Sequence, residues 1–183
     1  MKSNVTPKLT HFALFVRDLP MMEEFYTKVM GLTVTDRGEA TSAPVQMVFM
    51  SSDPTEHHQF VLVSGRPDDV NFSLNQQMSF VVDSIDELRE MRDRVMDTDV
   101  DFKQSVTHGN AWSIYFDDPE GNLIENYVHT PWYVPQPHSV AIDLDQPNKQ
   151  IMDFTEAHCR EDPAFMTKAD RENEMAKMML EDA

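Results

Sequence analysis

The chain has 183 residues, 40% of them hydrophobic and 9% aromatic, with 32 acidic against 15 basic side chains and a formal charge of −17. That apolar content is enough for a core and excludes global disorder, while the acidic field repels phosphates and so excludes nucleic acid and anionic membrane as partners. A small-molecule ligand is expected instead. In chain order, the run from His11 to Val16 reads as a strand, and Asp18 and Leu19 then open a helical pattern in which Phe25 and Val29 share a face before Gly31 ends it. Three further strand-like runs follow, Leu32 to Arg37, Val45 to Ser51 and His57 to Val63.

The same order then recurs at an offset of 66 residues. Gln77 to Val82 reads as a strand, Asp83 opens a helix with Met91 and Val95 on one face and Thr98 and Asp99 at its end, and strands are expected at Phe102 to Val106, Ala111 to Phe116 and Leu123 to Val128. Each repeat is therefore β-α-β-β-β. The expected fold class is α+β: two such modules, 8–66 and 75–134, form a half-barrel around a central pocket, and 135–183 form a helical C-terminal extension.

Strand alternation assigns the faces. Phe12, Leu14 and Val16, matched by Met78, Phe80 and Val82, should pack beneath the helices, and the opposite face carries His11 in one repeat and Gln77 in the other. In the last strands, Gln59 stands 66 residues before Glu125. If the modules pack about a pseudo-twofold axis, His11, Gln59, Gln77 and Glu125 converge on one cavity.

At these positions the sequence resembles the vicinal oxygen chelate superfamily, which includes glyoxalase I, the fosfomycin and bleomycin resistance proteins, and the extradiol ring-cleaving dioxygenases. The stretch from Val106 to Glu125 is similar to the extradiol signature: His108, the Ile114-Tyr115 pair, the turn Asp118-Pro119-Glu120-Gly121, then Glu125. The resemblance implies a metal-dependent enzyme of extradiol dioxygenase type acting on a catechol-type aromatic diol. His11, Gln77 and Glu125 would be the metal ligands, His108 the acid–base group and Tyr115 a hydrogen-bond partner of the substrate oxygen. Fe(II) is the expected metal, with Mn(II) or another divalent ion as the alternative. The dioxygenase pattern has His where this chain has Gln77, and a neutral carboxamide is a weaker Fe(II) ligand than imidazole. Gln59 or His57 could complete the set, while Tyr127 and His129 would line the pocket. Two other readings follow from the same family: a glyoxalase-like lyase or isomerase, and a non-catalytic binding protein of the bleomycin-resistance kind.

The remaining features are plainer. Cys159 is the single cysteine, so a disulfide within the chain and a thiolate metal cluster are excluded. No apolar run approaches the roughly 20 residues of a membrane span, and Met1 to Pro7 has no apolar signal core, so a cytoplasmic protein is expected. Pro131 to Pro137 is an extended, proline-spaced segment, read either as a cover for the pocket or a neighbouring subunit or as an ordinary docked linker. Helices are expected at Asp153 to Asp162 and Lys168 to Leu180, the second with Met175, Met178 and Met179 on an apolar stripe. The 14 methionines suggest adaptable packing and a homodimer contact. His138 and His158 lie outside the repeats and are expected at the surface.

Overall fold

The computed structural model describes residues 6–41, 43–70 and 72–181. Met1 to Val5, Ser42, Asn71, Asp182 and Ala183 lie outside the described residues. In the first repeat, strand β1 (Phe12–Val16) is followed by helix α1 (Leu19–Lys28), β2 (Thr33–Glu39), β3 (Gln46–Ser51) and β4 (Phe60–Ser64). In the second, β5 (Met78–Val81) is followed by α2 (Ile85–Met96), β6 (Phe102–Thr107), β7 (Ala111–Asp117) and β8 (Leu123–His129). The helices start where polar side chains take up free backbone N–H groups: Asp18 accepts from Met21 N at the head of α1, and Ser84 accepts from Glu87 N at the head of α2. Gly31, at φ +76°, supplies the left-handed turn that leads from α1 into β2.

Both sheets are open, in the order β1-β4-β3-β2 and β10-β6-β7-β8-β5, with β1 parallel to β4 and β5 parallel to β8. Strand β10 (Val140–Ala141) comes from the C-terminal extension and lies antiparallel along β6. The expected α+β class with half-barrel modules and a helical extension is what the chain adopts. Leu14 and Val16 are buried under the helices as alternation requires, but Phe12 remains 40% exposed, with its ring against that of Phe60. One continuous core runs through both modules, with Tyr26 packed on Phe60 and Phe60 on Phe80.

Polar groups also tie the modules together. Tyr26 in α1 donates to Asp118 Oδ2 in the turn between β7 and β8, at 3.0 Å and fully buried. In the same turn, Glu120 accepts from the backbone N–H groups of Arg17 and Asp18 at 2.6 and 2.9 Å and pairs with Arg66 at 3.4 Å.

Helices α3 (Asn148–Cys159) and α4 (Lys168–Glu181) complete the extension, with the two-residue strands β9 (Trp132–Tyr133) and β11 (Met166–Thr167) paired to each other. Helix α3 starts at Asn148, directly after Pro147, five residues ahead of the expected Asp153. Its buried residues Ile151, Thr155 and Cys159 face the second module, where Trp112 Nε1 donates to Thr155 Oγ1 at 2.8 Å. Among the described residues, no helix is long and apolar enough to cross a membrane.

Candidate active site around Glu125

Glu125 lies at the centre of β8, only 8% exposed, with a neighbour on each side set by register: Ser79 on β5 and Tyr115 on β7. Ser79 Oγ donates to Oε2 at 2.6 Å, and Gln77 Nε2 donates to the same oxygen at 2.6 Å. Tyr115 OH and Ser113 Oγ both donate to Oε1, at 2.7 and 2.8 Å. Each carboxylate oxygen thus has two donors. Burial first, and then the Glu125 hydrogen bond, push the Tyr115 phenol well above the ordinary tyrosine value.

His108 extends this line. Its Nε2 is 2.9 Å from Tyr115 OH, and its Nδ1 is 2.7 Å from the backbone carbonyl of His138. A carbonyl oxygen only accepts, so Nδ1 carries a proton. Tyr115 has one hydroxyl hydrogen for two facing acceptors. It is given to Glu125 Oε1, and His108 Nε2 stands within hydrogen-bond distance of the same phenol oxygen. Tyr115 thus links His108 to Glu125, which is the geometry of a short proton relay.

The hollow over these groups is about 420 Å³, and Gln77, His108, Tyr115, Tyr127 and His129 line it. A second hollow of about 400 Å³ adjoins it between the modules, sharing Gln77 and Ser79 and lined by Leu9, Phe12, Phe60 and Phe80. One side of the site is therefore a set of hydrogen-bonding groups and the other is apolar and aromatic.

The structure thus brings Gln77, His108, Tyr115 and Glu125 together, with Tyr127 and His129 at the rim. It sets His11 apart. The His11 ring lies 4.5 Å from that of His58, its Nδ1 is 3.2 Å from Thr10 Oγ1, and it lines neither hollow. His57 precedes β4 instead of starting it, and its Nδ1 faces that of His58 at 2.9 Å. Burial, then the neighbouring charges of His11 and His57, lower the pKa of His58.

Gln59 lines the second hollow, although not at the position that the offset of 66 assigns to it. Register pairs Met50 with Phe60 in the first module and Phe116 with Ile124 in the second, so the β3–β4 connection is two residues longer than its counterpart. The position equivalent to Glu125 is consequently Val61. Gln59 sits in the connection, where its Oε1 accepts from Ser51 Oγ, Ser52 N and Ser52 Oγ at 3.2, 3.1 and 3.0 Å.

These positions bear directly on a metal. A ring-cleaving Fe(II) site presents two imidazoles and a carboxylate on one face. Among the described residues, no three His, Cys, Asp or Glu side chains converge as such an ion requires. Gln77 faces Glu125 with its NH₂ group, because its oxygen would be repelled there, so the carboxamide donates where a ligand would have to accept. The donors in this arrangement do not fit the two-His, one-carboxylate set. Ser79 and Ser113 were missing from the sequence expectation, although alternation places Ser79 on the face of Gln77 and Ser113 on that of Tyr115.

The paired modules and the polar row around Glu125 define a class, and sequence comparison agrees: residues 8–126 match the Glyoxalase/Bleomycin resistance protein/Dioxygenase superfamily, and the chain belongs to it. Among curated relatives, biphenyl-2,3-diol 1,2-dioxygenase 3 of Rhodococcus globerulus is 29% identical over 126 residues, which cover 66% of this chain and 63% of that protein. Biphenyl-2,3-diol 1,2-dioxygenase 2 of the same organism is 23% identical over 124 residues, 66% of this chain and 62% of that protein. The match therefore spans less than two thirds of either relative. Among solved structures, a glyoxylase/bleomycin resistance protein/dioxygenase domain from Frankia sp. EAN1pec superposes with a TM-score of 0.58 at 20% identity, covering 69% of this chain and all of that one. The fosfomycin resistance protein FosX of Listeria monocytogenes, in complex with Mn(II), gives 0.54 at 20% identity over 69% of this chain and 95% of its own. Proteins that share this fold thus include one crystallised with Mn(II).

Proposed function

We infer that this chain is an extradiol-dioxygenase-like enzyme that binds a catechol-type aromatic diol, with His108, Tyr115 and Glu125 handling the diol protons. The observation that carries this reading is the continuous line from Glu125 through Tyr115 to His108, opening beside an apolar, phenylalanine-lined hollow. A diol whose oxygens face Tyr115 and His108 would place its ring toward Phe12, Phe60 and Phe80. His108 and Tyr115 can then accept and return a hydroxyl proton, while Gln77 and the two serines hold Glu125 in place. Titration with biphenyl-2,3-diol, followed by the absorbance change of the diol on ionisation, tests this. Saturable binding that is weakened in Tyr115→Phe is the expected result, and no binding by the native chain would sink the proposal.

A second reading is iron-dependent ring cleavage, and the signature from His108 to Glu125 together with the relatives' activity supports it. It requires His11 to leave His58 and join Glu125. Oxygen uptake in the presence of Fe(II) and the diol decides between the two, since diol binding without uptake leaves proton handling or simple sequestration. Mn(II) is the alternative metal under the same test. A homodimer also belongs to this proposal, supported by the exposed Met178, Met179 and Leu180 on α4, and sedimentation velocity tests it. Residence in the cytoplasm is part of the same reading, and fractionation of the source cells tests it.

A further inference from the structure

The second module does not hold His108 by itself. The ring's Nδ1 is bonded to the carbonyl of His138, thirty residues along the chain and outside the family-matched span 8–126. Gln136 closes the connection from its other end. Its Nε2 donates to the backbone carbonyl of His108 at 2.7 Å, and its Oε1 accepts from His138 N at 3.2 Å. One carboxamide therefore bridges the turn that carries His108 and the segment that receives its ring.

The packing beneath this bridge is equally close. Gly109 has φ +77°, and a Cβ there would stand 2.4 Å from Val134 Cγ2 and 3.2 Å from Cys159 Sγ. The turn thus rests directly on the extension, and only glycine fits between them. A histidine whose Nδ1–H is committed to a carbonyl presents Nε2 in a fixed direction, here toward Tyr115. Without that acceptor the ring would rotate about its side-chain bonds and exchange tautomers in water.

We propose that Gln136 is a positioning residue: by clamping the Gln136–His138 segment to the His108 turn, it fixes the tautomer and direction of the His108 imidazole. The C-terminal extension is then part of the working site. This inference rests on the reading of His108 as a proton-handling group, but the orientation of the ring can be observed without any substrate.

The test uses the full chain labelled with ¹⁵N and long-range ¹H–¹⁵N spectra of the histidine rings, with the His108 signals assigned by their loss in His108→Gln. The native protein should show a single Nδ1–H tautomer for His108 with a slowly exchanging ring proton. Gln136→Glu keeps the size but puts a carboxylate against the His108 carbonyl, and Gln136→Leu removes the donor without adding charge. Both should lose the slow Nδ1–H signal and average the two ring nitrogens, with the amide spectrum of the two sheets unchanged. Native ring signals in either variant would overturn the proposal, because Gln136 would then only pack. Diol binding measured on the same samples separates the two levels. A native protein that binds no diol but shows the expected ring behaviour removes the functional reading and leaves the positioning role intact.

Discussion

Tyr115 and Glu125 face each other across β7 and β8, hydroxyl to carboxylate at 2.7 Å, and this contact joins the buried acid to His108. Tyr115→Phe removes the hydroxyl with little change in shape. Glu125 Oε1 keeps only Ser113, and His108 Nε2 loses its partner while Nδ1 keeps the His138 carbonyl. The loss of a hydrogen bond to a charged group, about 1.5–3 kcal/mol, should weaken diol binding by roughly ten- to a hundredfold. Calorimetric titration reads this directly, and an unchanged affinity would place the ligand away from Tyr115.

Glu120 is a stability determinant between the modules, because its carboxylate meets two backbone N–H groups and the buried side of Arg66. Arg66 is 9% and Glu120 4% exposed at the side chain, so neither charge is well hydrated. Glu120→Ala leaves Arg66 without its charged partner, with only Asn122 Oδ1 and the backbone carbonyl of residue 120 as acceptors, and should cost about 3–5 kcal/mol. Urea denaturation measures the loss. A change below about 1 kcal/mol would mean that the pair behaves as an exposed one.

The buried pair Tyr26 and Asp118 gives a pH dependence of definite sign. Burial raises the Asp118 carboxyl above its ordinary value, against the lowering effect of its hydrogen bonds from Asn122, Tyr26 and the Glu120 amide. The folded state therefore binds this proton more tightly than the unfolded chain. Its contribution to stability is complete below the ordinary Asp value of about 3.9 and is lost as pH rises through the raised folded value. Asp53, Asp86 and Asp143, whose values are lowered, act in the opposite sense. The difference between native protein and Asp118→Asn isolates the one group: the native advantage should shrink as pH rises from about 3 to about 7. Urea midpoints across that range are the measurement, and a pH-independent difference would contradict the assignment.

Thr155→Val tests how the extension is anchored. It leaves the buried Trp112 N–H without an acceptor, at a cost of about 1–3 kcal/mol. The melting temperature should fall, and because Trp112 lies in the contact, its fluorescence should report the change. A melting curve superimposable on the native one would show that α3 is held by apolar packing alone.

Much of the fold was legible because hydrophobic period and capping residues agree locally: Asp18 and Ser84 cap where the helical patterns begin, and the offset of 66 aligns β1 with β5 and β3 with β7. The offset fails at β4, where two additional residues in the preceding connection move Val61 into the place expected of Gln59. Sequence periodicity cannot register such an insertion, because connection length is free to vary while strand pairing is fixed by backbone hydrogen bonds. In the site, the signature residues His108, Tyr115 and Glu125 were visible as a motif. Alternation puts the serines on the right face, but only cross-strand pairing brings them to Glu125, and the acceptor for His108 is a backbone carbonyl, which carries no side-chain signal at all. The early start of α3 escaped notice because Pro147 offers no side-chain cap.

Strand β10 has an effect beyond the site. By pairing with Val106 and Thr107, it covers one end of the outer edge of the second sheet, which shortens the row of free N–H and C=O groups open to a foreign strand. The outer ladder of the first sheet belongs to β2, whose bulge between Val34 and Asp36 and exposed Asp36, Arg37 and Glu39 oppose the same event by irregularity and charge. The β10 and β2 edges thus oppose edge-to-edge aggregation by two different devices, one of them built from residues outside the repeats.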